Sequence, residues 1–294
     1  MNQSLSYRHT FHAGNFADVH KHAALALLLR AMGRKDKPFL YLETHAGGGR
    51  YDLYGPDADR SREWEDGIGR LWARNVRNPS PQLAPYLAAI SALNPNGHLR
   101  HYPGSPLIAD ACLRPMDRMV LLEARYSEAQ RLETMFGVEQ GFDSRKQRPA
   151  VQVRIGDGYA ALQPWLPPPE RRGVIFIDPP FERNDEFKKL LAALTTVERH
   201  FATGTVAVWY PLKDRAAVTR FHRALKESGL RRLLLAELRV LPDDVGGRFH
   251  GSALLLHNPP WQLEQELSAL GKELATLLAS GPGTGAAVRW LVGE

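Results

Sequence analysis

The sequence predicts a doubly wound α/β fold, in which helices cover both faces of a mostly parallel sheet. Short apolar segments alternate with helical segments along most of the chain, and each helical connection implies a right-handed crossover between parallel strands. The first apolar segment, 39–43, runs directly into the glycines 47–49, and such folds bind nucleotides where a strand meets a glycine loop. The 294 residues, 44% of them hydrophobic, suffice for one large domain with an insertion.

The first two predicted elements are a helix and a strand. Asn15 can cap a helix that runs to about Met32, and the polar segment 35–38, which contains a proline, ends it. The apolar run 39–43 then predicts a short buried strand. The glycine loop follows this strand directly.

The pattern changes between about residues 51 and 103. Acidic and basic residues alternate there, and two short helices are predicted at about 63–74 and 81–93, with no strand. We interpret this segment as a small helical insertion. Residues 1–50 then begin the main domain, and residues 104–294 complete it.

Helices and strands alternate again after residue 104. Six further strands are predicted, at 119–123, 151–155, 174–177, 206–209, 233–235 and 253–256. Helices are predicted at about 105–114, 127–136, 186–201, 215–228 and 262–278. The sheet thus has seven strands. Helical crossovers make the first five parallel, and the short loop at 241–247 makes the last two an antiparallel pair.

Charge and composition restrict the classes of function. The formal net charge of +6 and the pI near 9.5 favour polyanionic partners such as nucleic acid. Cys112 is the only cysteine, so neither an intramolecular disulfide nor a cysteine-based zinc site can form, which is typical of a reducing cytoplasm. The N-terminus lacks the apolar core of a secretory signal, and the Ala/Leu run 23–29 is too short to span a bilayer. We therefore expect a cytoplasmic protein without a membrane anchor.

The glycine loop predicts a close approach between the backbone and a ligand. Gly47 and Gly49 carry no side chain that would collide with a bound molecule. The dinucleotide fingerprint G-x-G-x-x-G fails because Asp52 stands in place of its third glycine, which disfavours a nicotinamide-dependent enzyme. Glu123 closes the second strand, where a carboxylate can accept ribose hydroxyls. Asp157-Gly158 follows the third strand in the same way and can meet a nucleotide's adenine amino group.

The sharpest signal is the apolar strand 174–177 followed by Asp178-Pro179-Pro180-Phe181. This combination suits methyl transfer to the amino group of a planar base, a poor nucleophile whose N–H bonds must be held by acceptors. The Asp178 carboxylate can accept one N–H and the Pro179 carbonyl the other, with the prolines fixing the backbone. Asp178 can also accept the proton that the methylated amine loses. Phe181 offers a stacking face for a base taken out of its helix.

A second motif of this kind, Asn258-Pro259-Pro260-Trp261, follows the last predicted strand. Because that strand belongs to the antiparallel pair, its carboxyl end points away from the crevice formed by the parallel strands. The motif also opens a helix, where a proline and Trp261 suit packing. We expect this second motif to be a structural corner. For the first motif, a plain Pro-Pro turn is the alternative interpretation.

The first 22 residues are rich in basic and aromatic side chains. Tyr7 and Arg8 lie in a segment with four histidines, at positions 9, 12, 20 and 22. His20 and His22 are two residues apart and would point to different sides of a helix, and no H-E-x-x-H motif accompanies them. We therefore expect no metal site. Contact with RNA phosphate, a base or a cofactor is favoured instead, with Tyr7 and Arg8 as the candidates for RNA contact.

With these residues in view, the chain resembles the bacterial 23S ribosomal RNA adenine-N6 methyltransferase family that modifies adenine 2030. The resemblance covers essentially the full length. It rests on Ser6-Tyr7-Arg8-His9 with Phe11-His12-Ala13-Gly14-Asn15, Thr44-His45-Ala46-Gly47 with Gly49-Arg50-Tyr51, Tyr102-Pro103-Gly104-Ser105-Pro106, Ile177-Asp178-Pro179-Pro180, and Asn258-Pro259-Pro260-Trp261. Each of these groups alone is weak evidence for the family, whereas all of them together are specific for it.

The resemblance implies a Rossmann-like class I methyltransferase sheet with a small helical insertion, and S-adenosylmethionine as the methyl donor. Asp178 should be the catalytic acceptor, and Tyr7 should touch the RNA. The implied cofactor contacts are His22, His45, Ser105, Glu123 and Asp157-Gly158. The chain departs from the family's usual pattern at Phe181, which replaces a tyrosine and so lacks its hydroxyl, and at Glu43, which replaces an aspartate.

The residues and the resemblance together predict methyl transfer from S-adenosylmethionine to the N6 of an adenine in 23S ribosomal RNA. The oligomeric state stays open, with a monomer favoured. The substrate is the naked RNA or a precursor particle. An aspartate or asparagine before Pro-Pro-aromatic can hold any planar amino group, so two alternatives stay open: an adenine-N6 methyltransferase acting on DNA or another RNA, and a glutamine-N5 protein methyltransferase. A non-catalytic RNA-binding module would need neither the glycine loop nor Asp178.

Overall fold

The computed structural model describes residues 9–75, 77–138, 148–242, 249–279 and 281–294. The strands are β1 (Leu40–Glu43), β2 (Arg50–Asp52), β3 (His101–Pro103), β4 (Arg118–Glu123), β5 (Ala150–Ile155), β6 (Gly173–Ile177), β7 (Thr205–Leu212), β8 (Leu233–Arg239), β9 (Gly251–His257) and β10 (Gly285–Val292). The helices are α1 (Phe16–Gly33), α2 (Pro56–Ser61), α3 (Arg70–Asn75), α4 (Ala84–Leu93), α5 (Ser105–Cys112), α6 (Tyr126–Phe136), α7 (Glu186–Phe201), α8 (Arg215–Glu227) and α9 (Leu263–Leu278). A π-helical turn spans Glu65–Gly69, and 3-10 turns span His9–Phe11 and Gln163–Trp165.

Eight strands form the central sheet, in the order β10-β8-β9-β7-β6-β1-β4-β5. The five strands from β7 to β5 in this order are parallel, as predicted. β8 and β9 form the predicted antiparallel pair, and β9 also runs antiparallel to β7. β1 lies between β4 and β6, so the strand order reverses beside it. Ligands of doubly wound sheets bind in the crevice at such a switch point, outside the carboxyl ends of the strands.

The prediction of seven strands was one too few for the central sheet. The missed strand, β10, pairs antiparallel with β8 at the sheet edge, and Arg289 interrupts its apolar residues. The prediction that no strand lies between residues 51 and 103 was also wrong. β2 and β3 are three residues each, too short to show periodicity, and they pair with each other outside the main sheet.

The pairing of β2 with β3 places the two ends of the 51–103 segment side by side, with Tyr51 opposite Tyr102. Between them lie α2, the π-helical turn, α3 and α4. Apolar residues of this segment, including Ile68, Leu71 and Tyr86, are fully buried in the same core cluster as α1. The segment therefore shares the core of the main sheet.

Helix α1 is buried on almost every side, between α4, α5, α9 and β9. The side-chain oxygen of Asn15 accepts hydrogen bonds from the backbone N–H groups of residues 17 and 18, both at 3.0 Å, which confirms the predicted cap. Because the helix is enclosed, its polar residues Asp18, His20, Lys21 and His22 are buried too. A buried charge must find a partner, and these partners define the site described below. Within the described ranges no helix is long and apolar enough to cross a membrane.

Candidate active site

A cavity of about 550 Å³ opens at the carboxyl ends of the parallel strands, next to the amino-terminal half of α1. Its size is typical of a small-molecule site. Most of the residues singled out in the sequence line it, although they come from six separate segments of the chain. They are His22, His45, Gly47, Ser105, Glu123, Asp157, Gly158, Asp178 and Pro179.

Glu123 is fixed at the end of β4 by two backbone hydrogen bonds. Its Oε2 accepts from the N–H of Gly47 and its Oε1 from the N–H of Arg125, both at 2.7 Å. Burial raises the pKa of this carboxyl above its ordinary value, and the two N–H donors oppose that rise. The carboxylate ties the glycine loop to β4 and has further lone pairs that can accept hydroxyl donors from the cavity.

Two glycines of the cavity wall allow a close approach of neighbouring protein atoms that a side chain would prevent. Gly47 adopts a left-handed φ of 63°, and a Cβ there would lie 2.7 Å from the hydroxyl of Tyr51. A Cβ on Gly158 would collide with the carbonyl oxygen of Thr44. Beside it, Asp157 Oδ1 accepts from the N–H of Tyr159 at 2.9 Å. Backbone from the loops after β1 and β5 is thereby brought together on one wall of the cavity.

Gly49 is not among the cavity-lining residues, and its contact with a ligand stays a prediction. Its φ of 75° is left-handed, and a Cβ there would lie 2.9 Å from Leu132 and 3.0 Å from the sulfur of Met135, both on α6. Its carbonyl accepts from the N–H of Gly104 at 2.7 Å. The loop turns away from the cavity after Gly47, so Gly49 permits close packing of loop, α6 and β3.

Two of the histidines that line the cavity, His22 and His45, are held neutral. His22 Nδ1 lies 2.8 Å from the hydroxyl of Tyr102, and burial lowers the pKa of His22 to about 3. His45 Nδ1 lies 2.8 Å from the hydroxyl of Thr44, and burial lowers its pKa to about 4. Neutral imidazoles do not repel a cationic ligand, whereas imidazolium groups would.

Glu43 lies beneath the cavity at the end of β1 and is completely buried. It accepts hydrogen bonds from the hydroxyl of Tyr41 at 2.9 Å and from the hydroxyl of Ser105. Burial raises the pKa of Glu43 to about 8, although both hydrogen bonds lower it. The replacement of the family's usual aspartate thus places a largely protonated carboxyl under Ser105, at the first turn of α5.

Asp178 is the cavity residue at the carboxyl end of β6, and it is paired with Lys21 of α1. Lys21 Nζ lies 2.7 Å from Asp178 Oδ2 and 2.8 Å from Asp18 Oδ1. Asp18 Oδ2 in turn accepts from the N–H of Gly14 and lies 3.0 Å from His9 Nε2. Burial opposes ionisation of Asp18, yet the charges of His9 and Lys21 hold its pKa well below the ordinary value. These contacts of Lys21 and Asp18 hold the Asp178 carboxylate in one position.

Trp209, at the carboxyl end of the predicted strand 206–209, also lines the cavity. Lys21 Nζ lies 5.1 Å from the centre of its ring, and its Nε1 donates to Ser252 Oγ at 2.9 Å. Neither the position of Trp209 in the cavity nor the pairing of Lys21 with Asp178 was predicted from the sequence. An aromatic residue at the end of the fifth parallel strand was the available signal for the first. The Asp18–Lys21 spacing of three residues on a buried helix was the signal for the second.

Phe181 is not among the cavity-lining residues, and its stacking face for a base stays a prediction. Its φ is 51°, in the left-handed region, which turns the chain at the end of the motif. Its ring packs against Phe187, with ring centres 5.2 Å apart, and nearly perpendicular to Trp209 at 5.9 Å. Phe181 therefore supports the ring of Trp209 in this arrangement.

The second Pro-Pro motif lies at the opposite edge of the sheet, as predicted. Asn258 Nδ2 donates to the carbonyls of Ala202 and Gly204, at 2.8 and 3.2 Å, just before β7 begins. The motif also precedes α9, as expected for a corner. The expectation that Trp261 packs was wrong, since its side chain is 80% exposed, and only its carbonyl is engaged, by Arg34.

The expected RNA contacts Tyr7 and Arg8 lie outside the described residues. Their neighbours His9 and Thr10 line the cavity, so the N-terminal segment reaches its rim. Among the residues that the structure describes, no group of three or more histidine, cysteine or acidic side chains is arranged to hold a metal ion.

Comparison with known proteins identifies a matching family model, two curated relatives and a similar crystal structure. A family model described as "Ribosomal RNA large subunit methyltransferase D, RlmJ" matches residues 36–292. Two curated relatives are both named "Ribosomal RNA large subunit methyltransferase J". The one from Escherichia coli K12 is 40% identical over 99% of this chain and 100% of its own, and the one from Haemophilus influenzae is 38% identical over the same shares. A crystal structure of a Legionella pneumophila protein is similar with a TM-score of 0.84 and 35% identity, covering 95% of this chain and 98% of the other.

Proposed function

The chain belongs to the RlmJ family of large-subunit ribosomal RNA methyltransferases, and we propose that it methylates the exocyclic N6 of an adenine in 23S ribosomal RNA. It is an S-adenosylmethionine-dependent methyltransferase with a Rossmann-like class I sheet. One observation carries the choice of target: Asp178 and Pro179, which suit an aromatic amine, line the same cavity as Glu123 and the glycine loop, which suit a nucleoside.

S-adenosylmethionine supplies an electrophilic methyl group on a sulfonium. The residues present fit such a molecule. Glu123 can accept the ribose hydroxyls, and Asp157 can accept the adenine amino group, while Gly47 and Gly158 allow the loops after β1 and β5 to form one wall of the cavity. The proposal adds Ser105 and the neutral imidazoles of His22 and His45 as contacts around the sulfonium end, with Gly49 shaping the loop from behind.

The target amine is held by Asp178 and Pro179 in this proposal. One carboxylate oxygen of Asp178 is engaged by Lys21, which fixes the group in the cavity floor. The carboxylate and the Pro179 carbonyl accept the two N–H bonds of the amine, so the nitrogen lone pair is directed at the methyl carbon. Asp178 then accepts the proton that the methylated nitrogen releases. The geometry thus supplies orientation and a proton acceptor.

The adenine ring itself requires an apolar face next to Asp178. Trp209 offers one inside the cavity, and Phe181 supports it from the edge, so we assign both to the base-binding wall. Tyr7 and Arg8 are proposed to contact the RNA from the N-terminal segment, whose neighbours His9 and Thr10 line the rim. Because Phe181 lacks the hydroxyl of a tyrosine, it contributes to this wall only through its ring.

The finer features of the proposal follow the family resemblance. The target is the adenine 2030 type, presented by naked 23S RNA or by a precursor particle. The protein acts in the cytoplasm as a monomer, without a metal ion or a membrane. Residues 51–103 form the helical insertion, and residues 1–50 and 104–294 form the methyltransferase domain, an arrangement that the pairing of Tyr51 with Tyr102 supports.

The test is methyl transfer from labelled S-adenosylmethionine to transcribed 23S RNA, followed by nucleoside mass spectrometry. The proposal expects N6-methyladenosine at one position, and mapping shows whether it is the 2030-type adenine. RNA with that adenine replaced by guanine should accept no methyl group. Equal transfer to DNA of the same sequence, or to a glutamine side chain of a ribosome-associated protein, would favour one of the two alternatives and contradict the proposal.

A further inference from the structure

A row of cations covers the exposed side of α8, on the face of the sheet opposite α1 and α9. The helix carries four cations and a single acid, Glu227. Lys213 precedes the helix in the same surface. All five cations of this surface are exposed: Lys213, Arg215, Arg220, Arg223 and Lys226. Spacings of three to five residues keep them on one side of the helix.

These cations differ from those of the helical insertion. There, Arg70 is paired with Asp66 at 2.6 Å, Arg100 with Asp52 at 3.1 Å, and Arg62 with Glu65. No ion pair between described residues involves the five cations of the α8 surface. Five cations thus stand against two acids, Asp214 and Glu227, between residues 213 and 227, and this segment carries a net positive charge.

A small cavity of about 110 Å³ lies where this surface begins, lined by Lys213, Arg215, Arg239 and His250 over the apolar floor of Leu212 and Val218. Two acids of the described residues lie beside this cavity, and each already has a partner. Asp214 caps α8 through the N–H of Ala217 at 3.0 Å. Glu237 is shared between Arg239 at 3.4 Å and Arg289 at 3.3 Å.

The position of this cavity connects it to the active site. Trp209 and Leu212 lie on the same strand, β7, and three residues of strand span about 10 Å. Trp209 lines the active-site cavity, and Leu212 lines the small one. The rings of Phe187 and Phe221, 4.8 Å apart, hold α8 next to the start of α7, where Arg183 and Lys189 line the active-site cavity. The α8 surface therefore lies next to the α7 side of the active-site cavity, where the cations are accompanied by acids: Arg183 is paired with Asp185, and Glu182 and Glu186 also line the wall.

We infer that this surface, defined by Lys213, Arg215, Arg239 and the exposed face of α8, binds the phosphodiester backbone of the RNA beside the methylated adenosine. The inference rests on the proposed function and names the RNA-contacting side of that same site. Phosphate contacts of this kind fix the register of a nucleic acid without reading its sequence. The small cavity holds a phosphate close to the flipped nucleotide. Helix α8, about 20 Å long, runs along the RNA strand that leads away from that nucleotide.

The test compares two double charge reversals. The first variant carries Arg220→Glu and Arg223→Glu, which replace two positive charges of the α8 surface with negative charges. In the matched control, Arg199→Glu with Lys272→Glu, two exposed cations are reversed at sites outside this surface, on α7 and on α9. RNA binding is measured by fluorescence anisotropy over a range of salt concentrations, and S-adenosylmethionine binding is measured by calorimetry.

The α8 variant should bind RNA at least about tenfold more weakly at low salt, and the slope of log K against log salt should fall by about 2. The control and the wild type should share one slope. All three proteins should bind S-adenosylmethionine alike, which shows that they are folded. A control that loses as much RNA affinity as the α8 variant would overturn the inference, because net charge alone would then explain the loss.

The small cavity is tested by Lys213→Ala with Arg215→Ala, which adds no new charge and keeps the fold in case the reversals do not. The KM for RNA should rise about tenfold or more while kcat at saturating RNA stays near wild type, again with a slope smaller by about 2. Wild-type RNA affinity and salt slope in this variant would overturn the inference. Wild-type protein that binds RNA yet methylates none would instead refute the proposed function, so the two failures are distinguishable.

Discussion

Lys21 and Asp178, far apart in sequence, form an ion pair of 2.7 Å at the floor of the active-site cavity. Lys21 is almost fully buried in α1, and Asp178 follows the central strand β6. A buried lysine confines the carboxylate that it holds, because removing Lys21 would leave the Asp178 carboxylate without this compensating charge. The pair therefore links the orientation of the catalytic acid to the packing of α1.

Asp178→Ala should abolish methyl transfer while S-adenosylmethionine binding changes by less than about threefold. Asp178 faces the amine, whereas Glu123 and Asp157 hold the proposed nucleoside contacts on other strands. The loss should exceed about 10³ in kcat, since the variant lacks both an orienting acceptor and the proton acceptor. Single-turnover transfer to 23S RNA and calorimetry of the donor provide the measurements. Wild-type turnover in this variant would show that Asp178 is not the catalytic acceptor.

Lys21→Met should lower both activity and stability. The variant leaves Asp18 and Asp178 without their shared cation, and breaking a buried pair of this kind costs about 3–5 kcal/mol. We expect kcat to fall by about 10² because the Asp178 carboxylate loses its fixed position. Urea unfolding and transfer assays measure the two effects. Double substitution with Asp178→Asn tests the coupling, and strictly additive losses would argue against a direct role for the pair.

Trp209→Ala should weaken the binding of the substrate RNA more than that of the donor. Its ring lines the cavity beside Lys21, and base–aromatic stacking contributes about 1–3 kcal/mol. The expected result is a rise of about tenfold in the KM for RNA, largely restored in Trp209→Phe, with donor affinity unchanged. Phe181→Tyr is the companion variant, since it restores the family's hydroxyl. An unchanged KM in Trp209→Ala would remove Trp209 from the base-binding wall.

Asn258→Ala should reduce stability and leave catalysis intact. Its side chain donates to two carbonyls at the start of β7, and its φ of 50° is left-handed. Loss of the hydrogen bonds and the strain on alanine should together lower the free energy of unfolding by about 2–3 kcal/mol. Asn258→Gly separates the two causes because glycine tolerates the backbone. A folded Asn258→Ala protein without activity would show that this motif, and not the one at Asp178, serves the chemistry.

Stability should decrease in acid, in part through His20. This residue is fully buried, 2.9 Å from Ser252 Oγ, and burial lowers its pKa from 6.5 to about 4. Between these values the unfolded chain binds a proton that the folded protein excludes, so the His20 contribution is present above pH 6.5 and is lost as the pH falls toward 4. It amounts to about 3 kcal/mol.

His20→Gln provides the comparison, because glutamine can keep a hydrogen bond and does not titrate in this range. The decrease in the free energy of unfolding between pH 6.5 and 4 should be smaller in the variant by about that amount. Glu43 acts in the opposite direction in both proteins, since its raised pKa disfavours the folded state as the pH rises from 4.5 toward 8. Parallel urea titrations at each pH measure the difference. Identical pH dependence in the two proteins would contradict the assignment to His20.

Much of the fold could be predicted because central parallel strands are buried on both faces. Such strands appear as continuous apolar runs, and 174–177 and 206–209 were placed within a few residues of β6 and β7. Edge strand β10 is only partly buried, and Arg289 interrupts its apolar residues, so it shows no continuous run. The short pair β2 and β3 depends on the approach of two distant segments, which no local pattern records.

The sequence by itself determined the chemistry of this protein: an acid, two prolines and an aromatic ring after a buried strand, and glycines and acids after three others. Position at a strand end sufficed, because the carboxyl ends of parallel strands meet at one edge. Only the tertiary structure decided which groups act together. The pairing of Lys21 with Asp178, the inward position of Trp209 and the turn of Gly49 away from the cavity arise from contacts between distant segments. Such contacts depend on how whole helices pack on the sheet, and residue spacing along the chain does not encode them.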